Sequence, residues 1–266
     1  MHIDEIIGMI KPIDKECAAK AQYRFDNLIK PVGSLAKLEE MTTRYAAIIG
    51  KYVKTDINYP ERALLVWSDP AHSAELEKVM HGGWPVNVLA AETGAKVEGI
   101  LVTAADVDEA MEEGAALVQE YVAKDKLGII GYGCLADVSD ELAIAAMAGG
   151  ILQAAALKVP VMLDGVATCR AAKLSMEKAP LAIDYCFAGH VSAEPGAEEA
   201  LKEIGLSAPL KLNIKDGTGE GAAVAFTLFN AGIKAYKEME TFEEAGVHVE
   251  LKSFSHAEQV KEEQGK

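Results

Sequence analysis

The chain contains few cysteines, few basic residues for its length and no long hydrophobic run. None of its four cysteines (Cys17, Cys134, Cys169 and Cys186) forms a C-x-x-C pair, and we expect buried free thiols in a reducing compartment. Lysine and arginine number 26 against 41 aspartates and glutamates, which leaves a net charge of −15. Proteins that grip nucleic-acid phosphates or anionic membranes normally carry a basic face. Neither nucleic acid nor a membrane is therefore an expected partner.

Segments that would place the chain in or across a membrane are also missing. No stretch approaches the roughly 18 consecutive apolar residues of a transmembrane helix. The opening residues, MHIDEIIGMIKP, show no basic region followed by the apolar core of a signal peptide. Hydrophobic residues make up 50% and charged residues 25% of the 266 residues, which is typical of a globular protein. We predict a cytoplasmic location.

The signatures of several enzyme classes do not occur. Gly128, Gly131 and Gly133 follow the pattern G-x-x-G-x-G, which differs from the dinucleotide fingerprint G-x-G-x-x-G. The sequence has no Walker P-loop and no G-x-S-x-G nucleophile elbow. His72 and His81 lack cysteine or acidic neighbours at metal-ligand spacing. We expect neither a nicotinamide cofactor nor a metal site.

Apolar runs of strand length alternate with helix-like stretches through the middle of the chain. The predicted strands are 63–67, 97–103, 127–132, 159–163 and 183–188. The predicted helices among and after them are 86–93, 107–123, 138–157, 166–178, 194–204 and 221–239. This alternation is typical of repeated βαβ units and predicts an α/β fold, with a parallel sheet covered by helices on both faces.

The N-terminal region is predicted to be helical. One helix spans 14–29, the break KPVG follows at 30–33, and Ser34 is a candidate N-cap for a second helix. The small residues of 143–156, AIAAMAGGILQAAA, favour close packing against the sheet or another subunit. The tail 251–266 is polar.

Candidate site residues follow the predicted strands, because ligands of open parallel sheets bind beyond the carboxyl ends of the strands. Asp69 and Asp164 stand at such ends. The segment GTGEG at 217–221 precedes the last helix, where glycine amides can face an anion, although a flexible loop explains it equally well. Ser192 precedes another helix and is either an anion contact or an N-cap.

Five collinear segments carry a family resemblance. LIKPVGSLAKLEEM at 28–41 is close to the motif L-x-K-P-x-G-S-L-G-x-L-E, and AGHVSAEPG at 188–196 is close to a segment ending S-A-E-P-G. The others are HGGWPVNVLA at 81–90, AAMAGGILQAAALKVPVMLDG at 145–165 and EMETFEEAGV at 238–247. Together they resemble the nicotinate-nucleotide:dimethylbenzimidazole phosphoribosyltransferase family of cobamide biosynthesis.

The resemblance implies a Rossmann-like α/β domain, a small helical domain from both chain ends, and a dimer. We assign 59–237 to the α/β domain and 1–58 to the small domain, joined by C-terminal helices at about 238–250. The family moves phosphoribose from nicotinate mononucleotide to a lower-ligand base, giving α-ribazole phosphate and nicotinate, without a metal or cofactor. A glutamate deprotonates the base, and glycine-rich loops hold the phosphate.

The chain departs from the family at the catalytic motif L-G-E-G-[ST]-G. Thr218 stands at the position of the glutamate, and Glu220 lies two residues on. A hydroxyl cannot replace a carboxylate as a base at pH 7, so Glu220 is the candidate catalytic residue. In a second motif, G-E-M-G-I-G-N-T-T, the glutamate aligns with Ile129. The chain is also shorter than typical members, with sequence missing after Asp69 and before Ala145.

The resemblance assigns the remaining site residues by position. Asp69 and Asp216 are expected near the acceptor base. The residues expected at the phosphate are Gly131, Gly133, Gly217, Thr218, Gly219, Gly221 and Ser192.

Two interpretations stay open. The first is a phosphoribosyltransferase with weakened catalysis, acting on nicotinate mononucleotide and a benzimidazole-like or phenolic base. The second is an inactive paralogue that serves as partner subunit of an active homologue, as in family members built from two homologous chains. The expected assembly is accordingly a homodimer or a heterodimer.

Overall fold

The apolar runs form one parallel sheet. In the computed structural model, which describes residues 2–247, its five strands are β1 (Arg62–Ser68), β2 (Lys96–Leu101), β3 (Ile129–Cys134), β4 (Val161–Leu163) and β5 (Cys186–Ala188). They lie in the order β2-β1-β3-β4-β5, and all adjacent pairs are parallel. The predicted α/β fold is confirmed.

Helices connect the strands and precede them. They are α1 (Ile3–Met9), α2 (Lys15–Asp26), α3 (Lys37–Ile49), α4 (Ser73–His81), α5 (Pro85–Ala91), α6 (Val107–Asp125), α7 (Glu141–Ala156), α8 (Gly165–Lys178), α9 (Ala197–Glu203) and α10 (Glu220–Glu238). Two 3₁₀ helices occupy Pro70–His72 and Pro180–Tyr185. The helices predicted between 14 and 239 are all present, and α1 and α4 are additional to them.

Strand β3 shows which helices cover which face of the sheet. Its side-chain positions alternate between the two faces. A Cβ atom on Gly131 would lie 3.0 Å from the ring of Phe226 in α10, whereas the hydroxyl of Tyr132 lies against Gly150 of α7. Helices α7 and α10 therefore pack on opposite faces, and α10 begins at the carboxyl edge of the sheet.

The small residues of α7 pack against α6 within the same chain. A Cβ atom on Gly149 would lie 1.9 Å from the carbonyl oxygen of Met111, and one on Gly114 would lie 1.9 Å from that of Ala146. These distances are far below van der Waals contact, so the two helices meet backbone to backbone. The small-residue stretch is explained by a neighbouring helix rather than by a second subunit.

We expect Gly149→Ala to lower the free energy of unfolding by about 1–3 kcal/mol or more, because the added methyl group must push α6 and α7 apart. Gly8→Ala is the matched control: Gly8 lies in α1, and a methyl group added there would have no other atom within 4 Å. Alanine there should be neutral or stabilising by up to about 1 kcal/mol. Urea denaturation of both variants measures the difference, and equal stabilities would contradict the account of the helix contact.

The start of α3 differs from the prediction. Ser34 is not its N-cap: the helix begins at Lys37, after Ala36 with φ of 42°. The Glu39 carboxylate accepts a hydrogen bond from the backbone N–H of Leu35 at 2.9 Å and receives the ammonium of Lys30 at 2.8 Å. This carboxylate stabilises the turn before the helix and takes the place of the hydroxyl that the sequence suggested.

The segment after α10 contains a turn where the sequence analysis expected helices at about 238–250. In its described part, 239–247, Thr241 forms a β-bridge with Leu28, and the Glu244 side chain accepts from the Thr241 N–H at 2.9 Å. Gly246, at φ of 68°, ends the turn. Residues 248–250 and the predicted tail 251–266 lie outside the described residues, and the domain division stays a prediction.

Candidate active site

The segment 216–221 lies across the carboxyl ends of β3 and β4. The backbone N–H of Cys134 donates to the carbonyl oxygen of Gly217 at 2.9 Å. A Cβ atom on Gly133 would lie 2.1 Å from the carbonyl oxygen of Thr218. Only glycine lets the segment approach the strand this closely, so Gly133, Gly217 and Thr218, all predicted site residues, are brought together.

Asp164, directly after β4, anchors the start of α10. Its Oδ2 atom accepts from the backbone N–H groups of Gly219 at 3.2 Å and Gly221 at 2.8 Å. His190 Nδ1 lies 3.4 Å from Oδ1, and both side chains are almost fully buried. The two glycine amides that sequence reasoning assigned to a phosphate therefore donate to Asp164 in this structure.

Glu220 and Thr218 form a buried pair at the first turn of α10. The Thr218 hydroxyl donates to Glu220 Oε2 at 2.5 Å. Burial raises the pKa of Glu220 above its ordinary value of 4.5, the Thr218 hydrogen bond lowers it, and the nearby charges of Asp164 and Asp216 raise it. A carboxyl group with a raised pKa beside the strand ends is suited to general-base chemistry near neutral pH.

Asp69 lies at the carboxyl end of β1 and binds His72. Its Oδ1 atom accepts from the backbone N–H of His72 at 3.0 Å and lies 2.6 Å from His72 Nδ1. The Asp69 hydrogen bond raises the pKa of His72 above 6.5. The sequence missed this pair, which brings a partly exposed imidazole to the same edge.

Asp69→Asn is expected to bring the pKa of His72 down toward 6.5, since the charged partner is lost. The folded-state pKa lies above the unfolded value, so the pair stabilises the fold below pH 6.5. That contribution disappears as the pH rises through the raised pKa. NMR titration of His72 in both proteins measures the shift, and an unchanged pKa in the variant would contradict the pairing.

Ser192 and Glu194 connect the segment after β5 to the start of α8. The Ser192 hydroxyl accepts from the Glu194 N–H at 3.1 Å, and Glu194 Oε2 accepts from the Val166 N–H at 3.0 Å. A Cβ atom on Gly217 would lie 3.0 Å from that same Oε2 atom. Ser192 thus lies beside the candidate site, and the carboxylate of Glu194, a residue that the sequence did not single out, accepts from the first turn of α8.

Three other predicted positions lie apart from the buried cluster of Asp164, Thr218 and Glu220. Asp216 is exposed in the segment before α10. Gly131 lies inside β3, against Phe226 and Leu64. Ile129 begins β3 and is fully buried, and at about 3.3 Å per residue it is about 17 Å from the carboxyl end. The loss of a carboxylate at the aligned position of Ile129 therefore does not alter the edge where Thr218 and Glu220 lie.

The described residues also show the state of the cysteines, the grouping of possible metal ligands and the character of the helices. All four cysteines are buried free thiols, as predicted. Within residues 2–247, no group of three or more histidine, cysteine, aspartate or glutamate side chains is arranged to hold a metal ion. No helix in that range is long and apolar enough to cross a membrane.

Comparison with known proteins identifies the family of the chain and relatives that are similar to it over most of its length. A family model described as phosphoribosyltransferase matches residues 10–128 and 108–247. The nicotinate-nucleotide–dimethylbenzimidazole phosphoribosyltransferase of Geotalea uraniireducens is 28% identical over 344 residues, covering 92% of this chain and 98% of that protein. The protein of the same name from Geobacter sp. strain M21 is 29% identical, covering 92% and 99%.

The alignments also show how much shorter this chain is. Since 92% of 266 residues is about 245, about 100 of the 344 aligned positions hold no residue of this chain. A crystal structure of nicotinate-nucleotide–dimethylbenzimidazole phosphoribosyltransferase from Thermus thermophilus superposes with a TM-score of 0.79 at 22% identity, covering 89% of this chain and 100% of that chain. At this identity the similarity establishes a shared fold.

Proposed function

The chain belongs to the phosphoribosyltransferase family, and we propose that it moves phosphoribose from nicotinate mononucleotide to a lower-ligand base of cobamides. The bond between ribose C1′ and the nicotinate nitrogen breaks, and its electron pair leaves with nicotinate. A ring nitrogen of the acceptor, or the oxygen of a phenolic base, forms the new bond to C1′. The buried Thr218–Glu220 pair at the carboxyl edge of the sheet is the observation that carries this proposal.

Glu220 is proposed to take the proton that the acceptor loses. Its raised pKa makes the carboxylate a better proton acceptor than an ordinary glutamate. Its hydrogen bond from Thr218 and its 4% exposure restrict access of the acceptor. Catalysis weaker than that of members with a glutamate at position 218 follows from this arrangement.

The substrates are proposed to bind around that carboxylate. The Asp69–His72 pair and the exposed Asp216 are proposed to contact the acceptor base. The phosphate is proposed to lie on the side of Gly217, Thr218 and Ser192, because the amides of Gly219 and Gly221 donate to Asp164. Gly133 permits the close approach of the segment, and no metal or cofactor takes part.

Incubating the purified chain with nicotinate mononucleotide and a panel of benzimidazole-like and phenolic bases tests the proposal. Mass spectrometry should detect nicotinate and one new ribosyl phosphate product per nicotinate. Absence of both products from the chain alone, and from the chain mixed with a homologue encoded beside it, would overturn the transferase proposal.

The second candidate function is that of an inactive partner subunit. Thr218 favours this function, because it stands where the family carries its catalytic base. Its hydroxyl also donates to Glu220, the carboxylate that the motif has two residues further on. A partner with an intact site would explain retention of the scaffold in a cytoplasmic dimer. Light scattering on the chain alone and mixed with that homologue decides the assembly, and a monomer mass in both samples would exclude either dimer.

A further inference from the structure

The backbone amides on both sides of Glu220 donate to one side chain, that of Asp164. Among the described residues, no other side chain outside the segment 216–221 accepts from both of these amides. Asp164 follows β4 directly, so the rigid sheet fixes its position. Its carboxylate is buried, and Oδ2 receives the amides of Gly219 and Gly221, the two neighbours of Glu220.

We propose that Asp164 is a positioning residue that, supported by His190, holds the backbone on either side of Glu220 and so fixes where the catalytic carboxylate lies. This inference rests on the proposed function of Glu220. Asp164 does not touch the acceptor in this account, and it acts through the turn 219–221.

The conformation of the turn requires such an anchor. Gly219 has a φ of 113°, which L side chains rarely adopt, and a Cβ atom there would lie 2.4 Å from Leu64. A Cβ atom on Gly221 would lie 2.4 Å from Asp164 Oδ1 and 2.6 Å from the Cβ atom of His190. Glycines on both sides leave the backbone pliable, so hydrogen bonds to a fixed carboxylate must select one conformation.

His190 supports Asp164 at Oδ1, the carboxylate oxygen that does not accept the glycine amides. Its Nδ1 atom faces Asp164 Oδ1 at 3.4 Å, and its side chain is fully buried. The Nε2 atom has no hydrogen-bond partner in the described structure. An N–H on Nδ1 can donate to Asp164 Oδ1 while Oδ2 accepts both glycine amides.

Asp164 also acts on Glu220 through its charge. Burial raises the pKa of Glu220, and the groups that also influence it are the Thr218 hydroxyl, the backbone N–H of Glu220 itself, Asp164 at the end of β4 and Asp216 before the turn. The Thr218 bond lowers the pKa of Glu220, and the two aspartates raise it. Removing the charge of Asp164 therefore lowers the pKa of Glu220, and removing that of Asp216 does the same without touching the amides.

Asp164→Ala removes both the acceptor oxygens and the charge, and comparison with Asp216→Asn, which removes only a nearby charge, separates positioning from charge. We expect Asp164→Ala to speed amide hydrogen exchange at Gly219 and Gly221 at least 10-fold and to move the carbon-13 titration of Glu220 to lower pH. Asp216→Asn should move the titration in the same direction and leave the exchange of both amides as in the wild type. The Glu220 signal is assigned from its absence in Glu220→Gln.

Kinetics provide the second readout. In Asp164→Ala, kcat for nicotinate release should fall at least 10-fold while KM for nicotinate mononucleotide changes less than threefold, because the Glu220 carboxylate is displaced and the donor site is not. Unchanged exchange at both amides, or a kcat equal to that of the wild type, would overturn the proposal.

Two further outcomes remain decisive. If Asp164→Ala fails to fold, His190→Gln should show faster exchange at Gly219 and Gly221, and unchanged exchange there would overturn the proposal. If the wild-type chain releases no nicotinate in any assembly, the proposed function fails, and amide exchange and the Glu220 titration still decide whether Asp164 holds the turn.

Discussion

The purified chain is expected to release nicotinate about 10²–10⁴-fold more slowly than a family member that keeps L-G-E-G at the motif, because general-base catalysis typically contributes that factor. Thr218 offers a hydroxyl where that member has a carboxylate. Glu220 is buried and hydrogen-bonded to Thr218, so it is a less accessible base. Steady-state assays of both proteins at saturating nicotinate mononucleotide and acceptor measure the ratio.

The identity of the product formed by each protein is the control for this comparison of rates. Both proteins should form the same ribosyl phosphate from the same acceptor, so that the rates refer to one reaction. Equal turnover by the two proteins would contradict the prediction and would mean that Glu220 works as efficiently as a glutamate at position 218.

Glu220→Gln is expected to remove at least 99% of the remaining activity. Glutamine keeps the shape of the side chain and can still accept the Thr218 hydrogen bond through Oε1, but it cannot accept a proton. In the wild type, activity should fall as the pH drops through the raised pKa of Glu220, where the base becomes protonated. The initial rate of nicotinate release between pH 4 and 9 measures both effects.

Thr218→Val is the matched variant for that pH profile. It removes the hydroxyl whose hydrogen bond lowers the pKa of Glu220, so the acidic limb should move to higher pH. A Glu220→Gln protein that retains wild-type turnover would exclude Glu220 as the base. A Thr218→Val profile identical to that of the wild type would exclude the coupling of the two side chains.

Much of the fold could be predicted because buried parallel strands are continuous apolar runs. The predicted strand 63–67 lies within β1, and the predicted helix 166–178 differs from α8 by one residue at its start. The helix α1 was missed although Ile3, Ile6, Ile7 and Ile10 have helical spacing, since it is only seven residues long. Helix α4 was missed although Leu76, Val79 and Met80 have helical spacing, since it is only nine residues long.

The candidate site was only partly predictable, because its hydrogen bonds join residues far apart in the sequence. The position of 217–221 before a helix indicated the right edge of the sheet. Nothing local to that segment shows that Asp164, more than 50 residues earlier, takes the amides of Gly219 and Gly221. Motif spacing also could not show that Ile129 begins its strand at the end away from the site.

Base-dependent nicotinate release in wild-type and Glu220→Gln proteins tests the central claim most directly. The account predicts that the wild type releases nicotinate only when an acceptor base is supplied, with one ribosyl phosphate product per nicotinate, and that Glu220→Gln loses at least 99% of this rate. Release that needs no acceptor, no release by the wild type alone or with its homologue, or equal rates in the two proteins would contradict it.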